Sequence, residues 1–173
     1  MQVTPPASWV AEHASLIPKS GPVLDLAAGS GRHALFFKGL GYRPVAVDRD
    51  VSRLADLKAD AQTEVIEADL ESGGPWPLGD RRFAGIVVTN YLWRPILPRI
   101  AAALLPGGIL IYETFGLGQE RHGKPTNPDF LLRPGELLDF AESTGLVVRA
   151  YRCGEIAAPA RAVRQGVVAQ RLS

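Results

Sequence analysis

The chemistry in this sequence concentrates in Val23-Leu24-Asp25-Leu26-Ala27-Ala28-Gly29-Ser30-Gly31-Arg32. The spacing predicts a strand that runs into a glycine-rich turn and then into a helix N-terminus. Glycines there permit positive φ and close approach of the backbone to a ligand, and the helix end favours negative charge. Asp48 follows Gly31 by seventeen residues, at the end of the next apolar run. A carboxylate so placed can accept both hydroxyls of a ribose. A nucleoside-containing cofactor at the carboxyl edge of a sheet is the reading these residues support. Gly29-Ser30-Gly31-Arg32-His33-Ala34 also fits the G-x-G-x-x-G/A dinucleotide pattern. Asp25 argues against it, because a pyrophosphate would meet an unwelcome carboxylate that a cationic cofactor would welcome.

The elements that must hold these residues read as an α/β pattern. A first helix carries Trp9, Val10, His13, Leu16 and Ile17 on one face, with Ser8 as its cap, and residues 1–20 form an N-terminal segment that could cover the cofactor as a lid. Strands are expected at Val23–Leu26, Val45–Val47, Thr63–Glu67, Gly85–Thr89, from Ile109, and at Leu146–Tyr151 and Val167–Leu172. Helices are expected at His33–Leu40, Val51–Asp60 (capped by Asp50), Ile96–Leu105 and Gly135–Thr144, the last with Pro134 at its first position. Pro106-Gly107-Gly108 reads as a turn, and Phe115–Leu132 as a long loop of the kind that usually has a role. The sum is one domain over residues 1–173. It is a doubly wound, mostly parallel seven-stranded sheet with helices on both faces and an antiparallel C-terminal strand.

Composition narrows the function classes. The chain has 173 residues, 46% of them hydrophobic and 21% charged, which excludes disorder and fibres. Nineteen basic against eighteen acidic residues leave a net charge of +1, which argues against an electrostatic nucleic-acid binder. Cys153 stands alone, so no disulfide within the chain and no cysteine-based zinc site is expected, nor any other metal. The N-terminal stretch lacks the pattern of a secretory signal, and no apolar run approaches the ~20 residues of a membrane span. The expectation is a cytoplasmic protein without membrane partners; the sequence is silent on oligomeric state.

Taken together the motifs resemble the class I S-adenosylmethionine-dependent methyltransferases, from about Val23 to the C-terminus. Asp25-Leu26-Ala27-Ala28-Gly29-Ser30-Gly31 matches the family's acidic-x-(Gly/Ala)-x-Gly-x-Gly motif. Asp48 matches its acidic residue after the second strand, Ala68-Asp69-Leu70 the motif after the third, and Leu105-Pro106-Gly107-Gly108 the turn before the fifth. The chain is most similar to the small, single-domain group of tellurite-resistance-type methyltransferases. The resemblance implies S-adenosylmethionine as cofactor, a Rossmann-like fold and a small-molecule methyl acceptor. It places Gly29 and Gly31 against the methionine portion, Asp25 near its ammonium and Asp48 on the ribose, and counts Ala27 among the cofactor-binding residues. Asp69 would take the adenine amino group, with Leu70 beside the ring. Arg49 departs from the apolar residue common there, and a guanidinium can stack on adenine or meet a 2′-phosphate. Thr89 and Asn90 would line the transferable methyl.

Candidates for the acceptor side are Asn90 and Tyr91 after the fourth strand, facing Glu113-Thr114-Phe115 and the loop through Arg121 and His122. Asn90-Tyr91 is similar to the Asn/Asp-Pro-Pro-Tyr signature of nitrogen methyltransferases but lacks both prolines, so that acceptor class is not implied. His122 is a candidate base, weighed against a solvated loop histidine, and Arg121, Lys124 and Arg133 could bind an anion or be plain surface charge. Asp69 could simply cap a turn, Trp93 could be core, and His33 could be a surface contact. An RNA or protein methyltransferase, an NADP-dependent reductase and a non-catalytic nucleotide-binding module remain the alternatives.

Overall fold

β1 (Val23–Leu26) is buried at every position, as a strand covered on both faces must be. β2 (Pro44–Asp48), β3 (Glu64–Glu67), β4 (Phe83–Thr89) and β5 (Leu104–Phe115) lie parallel to it or to one another. β6 (Val147–Ile156) and β7 (Ala162–Gln170) complete a sheet of order β3-β2-β1-β4-β5-β7-β6. β7 runs antiparallel to both β5 and β6, so the expected seven strands and single reversed strand are present. This is a computed structural model that describes residues 4–173. The first three residues of the expected N-terminal lid lie outside the described residues.

Two apolar layers sandwich the sheet. One joins Leu24, Val45, Ile86 and Leu110 with α4 (Leu97–Ala102) and α5 (Glu136–Ser143) through Ile100, Leu137 and Phe140. The other joins Val23, Val87 and Ile111 with Phe37 of α2 (Arg32–Gly39) and with Trp9 and Val10 of α1 (Ser8–His13). The N-terminal helix is therefore a packed wall of the core, with Trp9 5% and Val10 0% exposed. Pro5, Pro6, Ala7 and Ser8, ahead of and at the start of that helix, line a cavity.

Several local expectations are corrected. Ser8 is the first helical residue and caps nothing, and Leu16 is exposed because the helix tightens into a 3-10 turn at Ala14–Leu16. Val51–Asp60 forms a 3-10 turn at Ser52–Leu54 followed by the short α3 (Ala55–Lys58). Pro134 precedes the cap of α5, since Gly135 sits there at φ 80°. Pro106-Gly107-Gly108 is a bulge inside β5, because its backbone bonds to Arg171 on β7's extension hold it in the sheet. The last two strands are much longer than their sequence pattern, reaching Ile156 and starting at Ala162.

Candidate functional site

The strand order reverses direction beside β1, between β2 and β4, which opens a crevice at the carboxyl ends of those strands. Among the described residues, two non-glycine residues stand at positive φ, Ala27 (54°) just after β1 and Asn90 (55°) just after β4. Each such residue costs on the order of 1–3 kcal/mol, and such strain collects at functional sites. The glycine turn continues this geometry, with Gly29 at 57° and Gly31 at 73°.

Asp48 organises the turn from β2. Its Oδ2 accepts from Gly29 N at 2.8 Å and its Oδ1 from Asp50 N at 3.0 Å. It lines a cavity of about 270 Å³ with Ala27, Arg49, Asp69, Leu70 and Tyr91. Asp69 does cap a turn, its Oδ1 accepting from Glu71 N at 2.9 Å, yet it also faces this cavity. Tyr91 holds the opposite side; its backbone carbonyl accepts from the buried Tyr112 hydroxyl at 2.7 Å. The Tyr91 hydroxyl is buried without a hydrogen-bond partner, and burial, then the Glu71 carboxylate, raise its pKa well above the usual phenol range. Arg49, Asp48, Asp69, Leu70, Ala27 and Tyr91 thus line one cavity.

The remaining motif residues sit differently. Gly31 leaves its space to the core, because a Cβ there would stand 2.4 Å from Leu57 and 2.7 Å from Leu54. Gly29 faces open space. Thr89 is half-buried at the end of β4. Asp25 is 2% exposed and turned inward, its Oδ2 accepting from Ala34 N at 2.9 Å. Burial pushes its pKa up to about 7, opposed by that amide and by Arg32. His33 is not the expected surface contact. It is buried, its Nε2 accepts from Ala7 N at 3.2 Å, and its Nδ1 lies 4.0 Å from Asp25. Burial lowers its pKa to about 4, so it is neutral at pH 7.

A second cavity of about 420 Å³ continues past Tyr91, lined by Asn90, Leu92, Phe115, Lys124 and Phe130. A third, about 680 Å³, shares Asn90, Phe115 and Lys124 with it and extends to the β6–β7 hairpin. His122 lines this third space, with its Nε2 3.3 Å from Glu155 and its side chain 16% exposed, so it is not a solvated loop residue. The loop itself is stapled. Arg94 donates to the carbonyls of Asp129 (2.7 Å) and Leu131 (3.0 Å) and to Glu136, while Gln119 bonds Lys124 O and Val163 N. Arg133 pairs with Glu136, whereas Lys124 faces the cavities.

Sequence reasoning missed Arg152 and Arg164. Both donate to the buried Glu113 carboxylate, Arg164 at 2.9 Å, and Arg164 also reaches Asn90 Oδ1 at 2.5 Å. They come from strand segments read as linker, and only the alternation in Val147–Ile156 hinted at a strand.

Comparison with known proteins agrees with this architecture. Residues 1–72 match the family model for tellurite resistance protein TehB. Among curated proteins none is similar enough in sequence to count as a match. The fold is shared with TehB from Haemophilus influenzae at TM-score 0.76 and 18% identity, over 96% of this chain and 62% of that one. This chain therefore spans less than two thirds of that protein. A SAM-dependent methyltransferase from Methanosarcina mazei superposes at TM-score 0.71 and 14% identity, over 98% and 99% of the two chains. The 1,6-didemethyltoxoflavin-N1-methyltransferase of Burkholderia thailandensis, solved with its substrate and S-adenosylhomocysteine, does so at 0.69 and 20%, over 95% and 76%. The chain shares its fold with these solved methyltransferases.

Proposed function

We propose that this chain is an S-adenosylmethionine-dependent methyltransferase acting on a small molecule. The observation that carries the reading is one cavity at the switch point that gathers Asp48, Asp69, Leu70 and Ala27, residues to which the sequence resemblance assigns cofactor binding. The match of residues 1–72 to the TehB family model supports it.

The residues fit such a cofactor. Asp48 keeps lone pairs for two ribose hydroxyls beside the amides it holds, and Asp69 Oδ2 is free of protein hydrogen bonds among the described residues. Leu70 gives the adenine an apolar wall, and exposed Arg49 gives it a guanidinium edge. Bound there, the cofactor supplies an electrophilic methyl on a cationic sulfur. The protein's part is to align an acceptor in line with it, which by itself can lower a barrier by about 7–11 kcal/mol. Asn90, fixed by strain and by Arg164, and Tyr91, fixed through Tyr112, are the side chains placed to orient the acceptor. No general base is required unless the acceptor must lose a proton.

Calorimetric titration with S-adenosylmethionine tests the reading. Asp48→Ala should weaken binding by about 1–3 kcal/mol, the worth of charge-assisted bonds to ribose. No binding by the intact chain at millimolar cofactor refutes it, and tight NADPH binding would transfer the site to a reductase.

A further inference from the structure

We infer that the methyl acceptor is an organic anion, a carboxylate head on an apolar body, held in the cavity that reaches the β6–β7 hairpin; this rests on the methyltransferase reading. The cavity, about 680 Å³, falls within the roughly 300–1,000 Å³ of small-molecule sites. It opens onto Asn90 and Phe115, which it shares with the space beside Tyr91, so a molecule in it can present one end at the tip of β4.

Its charge is one-sided. Arg32, Lys124, Arg152, Arg161 and Arg164 line it, and Glu113 is the carboxylate in its wall. Glu113 is 2% exposed and answers two guanidiniums, while Glu155 outside the lining answers Arg161 and His122. The pairing leaves Arg32 and Lys124 without an acidic partner among the described residues, and two carboxylates stand against five cationic side chains. Arg152 Nε is buried with no hydrogen-bond partner, a standing cost that an anionic oxygen would relieve. Both guanidiniums are held against aromatic rings, Arg164 4.5 Å from the Phe115 centroid and Arg152 4.7 Å from that of Trp9, which limits the freedom they would lose on meeting a carboxylate.

Asn90 points the same way. Arg164 can only donate, so the Asn90 carbonyl is engaged and its amide N–H groups are what remain to offer. Donors suit an oxyanion and not an amine N–H. Between the charges lie Pro5, Pro6, Phe115, Ile156 and Pro159, an apolar stretch that a bare inorganic anion would leave empty.

Titrating the full chain, saturated with S-adenosylhomocysteine, with 2-naphthoate and with its neutral isostere 2-naphthamide tests this. The carboxylate should bind at least tenfold tighter, and added salt should weaken it. Arg164→Gln should cost tenfold or more with the S-adenosylhomocysteine affinity unchanged. Should that variant not fold, Arg161→Gln, at an exposed side chain, should still weaken naphthoate severalfold. Equal binding of the amide, or inorganic phosphate binding as tightly as naphthoate, overturns the inference. S-adenosylhomocysteine binding without any naphthoate binding overturns it alone; absence of both overturns the methyltransferase reading beneath it.

Discussion

Gly31→Ala and Gly29→Ala are the same chemical change two residues apart in one turn, and the structure predicts unequal outcomes. Both glycines have positive φ, 73° and 57°, where an alanine costs about 1–2 kcal/mol. At Gly29 the new methyl meets nothing within 4 Å. At Gly31 it collides with the terminal methyls of Leu57 and Leu54 at 2.4 and 2.7 Å. Flexible side-chain ends usually yield, but Leu54 is 1% and Leu57 3% exposed, so yielding disturbs a packed layer. Overpacking of that kind adds about 1–3 kcal/mol. Gly31→Ala should therefore lose about 2–5 kcal/mol in urea unfolding at unchanged m, and Gly29→Ala about 1–2. Trimming the obstacle with Leu57→Ala in the Gly31→Ala background should give back part of the difference, read as a coupling energy. If Gly31→Ala proves no worse than Gly29→Ala, the claim that Gly31 serves the core rather than the ligand is wrong.

Asp25→Asn should flatten the dependence of stability on pH. A carboxyl raised to about 7 binds its proton more tightly folded than unfolded, so the native chain loses stability as pH rises from about 4 to about 7. The ceiling on that loss is on the order of 4 kcal/mol; parallel curves for the two proteins would show that Asp25 does not titrate this way. Glu136→Gln should act in the opposite sense. Burial raises this carboxyl, but Arg94 at 2.6 Å and the Arg133 amide at 2.8 Å overcome it and hold the pKa below the usual range. Its contribution, about 1–2 kcal/mol given the partly exposed Arg94, is present near neutral pH and fades as pH falls through that lowered pKa. Limited proteolysis between Phe115 and Leu132 should accelerate in the variant at pH 7 and not in acid.

The residues along the first seventy positions made much of the site legible. A glycine turn between an apolar run and a helix, with acids closing the next two runs, has few physical solutions. Asp48, Asp69, Leu70 and Ala27 accordingly meet at one cavity. The sheet was equally readable, because strands buried on both faces are mostly apolar, β1 and β2 each carrying a single Asp. What periodicity could not reveal was contributed by burial and long-range pairing. Asp25 reads as a cofactor contact and His33 as a surface contact in the sequence, and both are sealed beneath the turn. Gly31 looks like a ligand contact and is a packing site. Arg152 and Arg164 follow no motif; they reach Glu113 across 39 and 51 residues only because β7 inserts between β5 and β6. Local spacing encodes the side of the crevice proposed to hold a nucleoside, since one turn and its neighbouring strand ends build it. The acceptor side is assembled from strands far apart in the chain, and only the folded sheet brings their charges together.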